Sequence, residues 1–159
     1  LPMLAALRPS EHLRYRSQMT MDRLDEDYIM RWVSAVAERT EQPWVRSAEA
    51  FALTGPMIEL VGTNHDEFLK DESKEVFVDY YAPWCSHCRT LEPTYEQLAL
   101  YFQYDTDLVI ARFDATKNDV VGDWLKAYPT LRFYPLGDKS EPIDYKGARD
   151  FETMKKWLM

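Results

Sequence analysis

From Ile58 onward the apolar residues switch repeatedly between a period of two and the helical period, which leaves such a chain few folds. Ile58 to Val61 reads as a short strand, and Asn64-His65-Asp66-Glu67 as a capping box opening a short helix. Glu75 to Ala82, rich in Val, Phe and Tyr, reads as a strand. Cys85 to Tyr104 is a long helical pattern, with a kink predicted at Pro93. Leu108 to Phe113 is a strand. Asn118 to Ala127 is a helix with Val120, Val121, Trp124 and Leu125 inward. Thr130 to Tyr134 and Ile143 to Lys146 are strands around a turn at Gly137, and Asp150 to Leu158 is a closing helix. The order β-α-β-α-β-α-β-β-α predicts an α/β fold: a mixed sheet flanked by helices. Strands joined by helices should pair parallel, and the closing hairpin adds an antiparallel pair.

The opening residues repeat the end of the chain in miniature. Met3 to Leu7 is apolar, Arg8-Pro9-Ser10-Glu11 signals a turn, and Leu13 and Tyr15 alternate with Arg14 and Arg16. Leu24, Tyr28, Ile29, Trp32, Val33 and Val36 then recur at helical spacing, with Asp22 or Asp25 near the start and Pro43 beyond the end. Asp25, Ile29, Trp32 and Val33 match Asp150, Met154, Trp157 and Leu158 at one constant offset. Tyr15-Arg16 and Tyr145-Lys146 precede the helix in each copy. The expectation is a C-terminal β-β-α fragment of a preceding similar domain at 1–39, a linker at 40–57, and the main domain at 58–159. Trp44 and Phe51 of the linker are candidates to dock on a neighbouring surface.

Hydrophobic residues at 46% and charged residues at 29% support a core and argue against a disordered chain. The formal charge of −8 disfavours nucleic acid and anionic membranes as partners. No apolar run approaches the ~18 residues of a membrane helix, so membrane insertion is not expected. Leu1 to Leu7 lacks the basic region and cleavage site of a signal peptide, and no retrieval tag closes the chain. Both ends read as cut from a longer protein.

The chemistry is concentrated in Trp84-Cys85-Ser86-His87-Cys88, at a strand-to-helix junction. Cys85 falls at the helix N-terminus, where unpaired N–H groups and the macrodipole favour a thiolate. Cys88 follows one turn in on the same face, close enough for a disulfide. Cys85 can attack a substrate disulfide and Cys88 can resolve the mixed disulfide. A zinc site needs about four ligands, and these are the only two cysteines. Two inert buried thiols fit poorly with Pro83 and Trp84 at a loop end. Asp79 interrupts an otherwise apolar strand. A buried carboxylate there can hold a proton near pH 7 and serve Cys88 as proton acceptor, directly or through water.

Val78-Asp79-Tyr80-Tyr81-Ala82-Pro83-Trp84-Cys85-Ser86-His87-Cys88, Tyr128-Pro129-Thr130 and Tyr145-Lys146-Gly147-Ala148-Arg149 together resemble the protein disulfide isomerase family. The resemblance is to a catalytic thioredoxin-like domain of the C-terminal, a′ type. It covers about 58–159 and makes the opening fragment the tail of a non-catalytic thioredoxin-like domain.

The resemblance implies that Cys85 is the nucleophile and Cys88 the resolving cysteine. His87 would stabilise the reduced thiolate and make the disulfide oxidising. Arg112 would take the place of a lysine that partners the buried acid, and being always charged it would hold a paired Asp79 ionised. Isomerases usually carry Glu at the Asp79 position and Gly at the Ser86 position. Pro129 would follow a cis peptide, leaving the Tyr128 backbone free to pair with an extended substrate. Arg149 would swing in to lower the pKa of the resolving cysteine. Trp84, Tyr128 and Pro129 would contact substrate. The redox group would be the cysteine pair itself, with no organic cofactor or metal. Partners would be unfolded or misoxidised client proteins and an upstream thiol oxidase or glutathione, in the endoplasmic reticulum lumen. Two rivals remain: a thioredoxin-like reductant, favoured by Asp79 and opposed by His87, and a chaperone or binding module with an incidental disulfide.

Overall fold

The computed structural model describes residues 4–19, 23, 25–50, 55–121 and 125–159. It divides into two units, residues 1–45 with 120–124, and residues 46–119 with 125–159. Among the described residues no helix is long and apolar enough to cross a membrane.

The first unit is a hairpin and a helix. β1 (Ala5–Arg8) pairs antiparallel with β2 (Leu13–Arg16) across a 3-10 turn at Pro9–Glu11. Tyr15 of β2 packs with Trp32 and Val36 of α1 (Glu26–Glu38), all three buried. The Asp25 side chain accepts from the Tyr28 N–H at 2.7 Å, satisfying one orphan donor of the first turn. Of the two candidate caps Asp25 is the one used; Asp22, like Met3, Leu24 and Phe51, lies outside the described residues. Trp44 docks on the hairpin itself. Its N–H donates to the Arg14 carbonyl at 2.7 Å, and the Arg16 guanidinium lies 4.9 Å from its ring centre.

The second unit is a five-stranded mixed sheet with strand order β3-β5-β4-β6-β7. The strands are β3 (Met57–Leu60), β4 (Glu75–Tyr81), β5 (Leu108–Asp114), β6 (Thr130–Tyr134) and β7 (Ile143–Asp144). The helices are α2 (His65–Leu69), α3 (Ser86–Phe102) and α4 (Phe151–Leu158). α3 buries Cys88, Leu91, Tyr95, Leu98, Ala99 and Phe102, a stripe at helical spacing. With Met154 of α4 it covers Phe77, Ile110 and Leu131 on one face of the sheet. The Tyr95 hydroxyl bonds the carbonyls of Phe77 (2.7 Å) and Ala111 (3.0 Å), fastening α3 to the two central strands. On the other face Tyr80 and Phe113 pack against His65 of α2. Asp150 caps α4 as Asp25 caps α1, accepting from the Thr153 N–H at 2.9 Å.

Four expectations need correction. β6 runs antiparallel to β4, so the sheet has two antiparallel joins rather than one. β5 ends with Asp114 opposite Tyr81, and β6 begins with Thr130 opposite Tyr80. The connection therefore starts and finishes at the same end of the strands, passing over the C-terminal end of β4, and so returns the chain antiparallel. Residues 118–121 and 125–127 of that connection are not helical; 122–124 lie outside the described residues. Asn118 and Asp119 are engaged elsewhere. The Asn118 side chain donates to the Asp114 carbonyl (2.9 Å) and accepts from the N–H groups of Ala48 (2.7 Å) and Gly62 (3.0 Å). The Asp119 N–H donates to the Arg46 carbonyl at 2.8 Å. A Cβ on Gly62 would collide with that same carbonyl oxygen. The capping box does not form either, because the Asn64 side chain accepts backward from the Val61 N–H at 2.8 Å. Finally, β7 stops at Asp144 rather than Lys146.

Candidate active site

β4 delivers the chain to the site and α3 begins there. The Cys85 N–H closes a turn onto the Ala82 carbonyl at 3.0 Å, and Cys85 is the N-cap of α3. The two cysteines are not joined by a disulfide in this structure. Cys85 is 8% exposed and Cys88 is 4% exposed. The Cys85 thiol lies 3.5 Å from the Tyr128 carbonyl oxygen. Its pKa is lowered by the Cys88 thiol, which donates to it, by the backbone N–H groups of Cys88 and His87, and by the charge of Arg149. The Cys88 thiol is pushed the opposite way, chiefly by burial. The site thus shifts the two thiols in opposite directions, Cys85 toward ionisation and Cys88 away from it.

Asp79 lies beneath this pair, 5% exposed, and among the described residues its Oδ1 has no hydrogen-bond partner. Burial raises its pKa to about 7, against the lowering charges of Arg149 and Arg112. It lines a cavity of about 320 Å³ together with Cys88, Glu92 and Arg112. Arg112 faces Asp79 across the β4–β5 pairing. Its guanidinium is nevertheless bonded to other partners, through Nε to Glu59 and through Nη1 to Glu92 at 3.5 Å. The pairing that would have held Asp79 ionised is not made, because the Asp79 side chain is short and two carboxylates compete for the cation. Glu59 and Glu92 are thus site residues that motif reading missed. The signal was available for Glu59, a charged residue inside the apolar run Met57-Ile58-Glu59-Leu60, as Asp79 is in its own strand.

The loop entering β6 forms the other wall. The Tyr128–Pro129 peptide is cis. Arg149 donates to the Pro129 carbonyl at 3.2 Å. Its charge bears on Cys85 and Asp79, whereas the resemblance assigned it to the resolving cysteine. Trp84 is 69% exposed and stands edge-on to Tyr128, with ring centroids 6.1 Å apart. His87 and Ser86 are exposed on the first turn of α3, and His87 acts on Cys85 through its backbone N–H. The structure thus brings Cys85, Cys88, Asp79, Tyr128, Pro129 and Arg149 together, with Arg112 one rung away and turned to other partners.

A dithiol at the head of a sheet-covering helix is what the comparisons with known proteins then place in a lineage. A family model described as thioredoxin matches residues 56–159. The chain belongs to the thioredoxin family. It is 37% identical over 165 residues to "Protein disulfide-isomerase" of Saccharomyces cerevisiae, covering 96% of this chain and 32% of that one. It is 46% identical over 104 residues to "Protein disulfide-isomerase A2" of Mus musculus, covering 65% and 20%. The solution structure of the first thioredoxin domain of mouse Protein disulfide-isomerase A4 superposes with TM-score 0.51 at 29% identity, covering 68% of this chain and 74% of that domain. Within the thioredoxin family the chain therefore sides with the disulfide isomerases, as its motifs implied, and it spans about a third or less of these curated relatives.

Proposed function

We propose that this chain is a thiol–disulfide oxidoreductase and isomerase acting on client proteins. The observation that carries the reading is the placement of the pair: Cys85 at the N-cap of α3 against the Tyr128 carbonyl and the cis Tyr128–Pro129 peptide, with Cys88 one turn in above the buried Asp79. That setting lowers the Cys85 pKa and raises that of Cys88. The Cys85 thiolate attacks a client disulfide, forming a mixed disulfide and releasing one client sulfur as thiolate. If that thiolate attacks another client disulfide, the client rearranges and Cys85 is freed. If instead Cys88 gives its proton to Asp79 and attacks Cys85 Sγ, the client leaves reduced and the Cys85–Cys88 disulfide remains. Client oxidation is the reverse, two electrons passing to the enzyme disulfide.

Trp84, Tyr128 and the loop at Pro129 would receive the client, and His87 and Arg149 would stabilise the Cys85 thiolate. No organic cofactor or metal enters this scheme, since the cysteine pair is the redox group. An upstream thiol oxidase or glutathione disulfide would return the pair to the oxidised state. The endoplasmic reticulum lumen is the compartment this reading calls for. We also read residues 1–39 as the tail of a preceding non-catalytic thioredoxin-like domain, and the catalytic domain as of the a′ type. The matching caps at Asp25 and Asp150 support that assignment.

Asp79 favours one second reading, a thioredoxin-like reductant. The reduction potential of the Cys85–Cys88 pair against a glutathione buffer separates the two. A value near about −180 mV supports the isomerase and one near about −270 mV the reductant. A pair that never equilibrates with glutathione overturns both.

A further inference from the structure

Three charged side chains share one rung on the α3 face of the sheet. Glu59 of β3 pairs in register with Arg112 of β5, which pairs in register with Asp79 of β4. One cation thus stands between two acids, and it is bonded to only one of them. Arg112 Nε donates to Glu59, and Nη1 reaches Glu92 of α3 at 3.5 Å. The Tyr81 hydroxyl donates to the same Glu59 carboxylate at 3.3 Å, and the guanidinium lies 5.7 Å from the Tyr81 ring centre. Arg112 is therefore held by three groups, none of them Asp79, while the buried Oδ1 of Asp79 has no partner among the described residues.

We propose that Glu59 and Glu92 are positioning residues for the disulfide reaction: they hold Arg112 off Asp79, which leaves the Asp79 carboxylate free to take the Cys88 proton, and the cavity lined by Glu92 and Arg112 passes that proton to water. The inference rests on the thiol–disulfide reading above. In the resolving step the Cys88 S–H proton goes to the Asp79 carboxylate as the Cys88 sulfur bonds to Cys85 Sγ and the client sulfur departs. The proton then leaves Asp79 for water, and the carboxylate is restored. A general base works best when its pKa lies near the working pH. Asp79 paired with a guanidinium would be held far lower and would be a poor acceptor for a thiol whose own pKa is raised. The cavity of about 320 Å³, lined in part by charged side chains, has room for several waters.

The charges around Asp79 agree. From α3 it meets Cys88, Glu92 and Tyr95; from β5, Arg112; from β3, Glu59; and from the loop before α4, Arg149. Glu59 and Glu92 raise its proton affinity, and the two arginines lower it. Arg89 of α3, Asp114 and Lys117 also line the cavity, and Lys117 is paired with Asp114 at 3.6 Å.

The test uses the full chain and three variants, Glu59→Gln, Glu92→Gln and the double. Carbon-detected NMR follows the Asp79 carboxyl titration in the reduced protein. Stopped-flow follows release of glutathione from a Cys85–glutathione mixed disulfide as a function of pH. Freed from its carboxylates, Arg112 turns to Asp79. The titration should fall by about half a pH unit or more in each single variant and further in the double. Release near neutral pH should slow several-fold. In an Arg112→Met background the same Glu→Gln shift should shrink. An Asp79 titration unmoved in all three variants overturns the inference, and so does a shift of full size without Arg112. If Asp79→Asn releases glutathione at the unaltered rate, the proton-acceptor reading itself falls and takes this inference with it. If release does depend on Asp79 while the Glu variants move nothing, only the inference falls.

Discussion

The Arg149 guanidinium donates to the Pro129 carbonyl oxygen at 3.2 Å, and that bond sets a fixed positive charge against the site. The charge favours the ionised forms of both Cys85 and Asp79. Arg149→Met should therefore raise the apparent pKa of the Cys85 thiol, read from the pH dependence of its alkylation, by a few tenths to one unit. The Asp79 titration should rise with it. Alkylation with an unchanged pH profile would reduce Arg149 to a prop for the loop.

The two thiols should react at very different rates. Cys85 should alkylate with iodoacetamide well below pH 8, and Cys88 at least about tenfold more slowly, being buried behind it and harder to ionise. Cys88→Ala should trap mixed disulfides with client proteins, which Cys85→Ala cannot form. Equal alkylation rates would remove the nucleophile and resolver assignment.

Asp79 gives stability a pH dependence of definite sign. Its folded pKa of about 7 exceeds the ordinary carboxylate value, so the unfolded chain ionises first as pH rises. The cost to folding is absent below about pH 4, grows between about pH 4 and 7, and is complete above. Asp79→Asn removes the ionisation and keeps the shape. Denaturant unfolding should find this variant more stable than the parent at pH 8, by of the order of 4 kcal/mol, with the gap closing toward pH 4. A constant gap at every pH would mean that Asp79 does not titrate in this range.

His87 offers a ring and a backbone N–H, and the two can be separated. His87→Pro removes both and should make the potential more reducing by about 30 mV or more, equivalent to ~1.4 kcal/mol. His87→Ala keeps the N–H that bears on Cys85 and should shift the potential less. The glutathione redox titration decides, and equal shifts would assign the effect to the imidazole.

Short-range signals were the legible ones. Asp25 and Asp150 announce their helices because a cap acts within three residues, and the Cys85–Cys88 spacing declares its chemistry in one turn. Asp79 could be singled out because a carboxylate in an apolar strand is anomalous wherever the strand lies. The partner of Arg112 could not be found that way. Motif reading pointed to Asp79, but the choice among Asp79, Glu59 and Glu92 depends on strand order and on the face that α3 covers. The segment after β5 misled for a similar reason. Its apolar spacing suits a helix, yet Asn118 and Asp119 bind residues far away in sequence, and those bonds outweigh local propensity.

Asn118 also dictates where this domain tolerates being cut. Its buried amide ties Ala48, Gly62 and Asp114 into one knot, and Arg46 closes the knot through Asp119. Shortening the chain to begin at residue 56, where the family match starts, would discard Arg46 and Ala48 and strip from that knot three bonds made by their backbone groups. Each polar group left unsatisfied there costs about 1–3 kcal/mol. For anyone preparing the thioredoxin-like unit alone, the safe start is upstream of Arg46, ten residues before the family match begins.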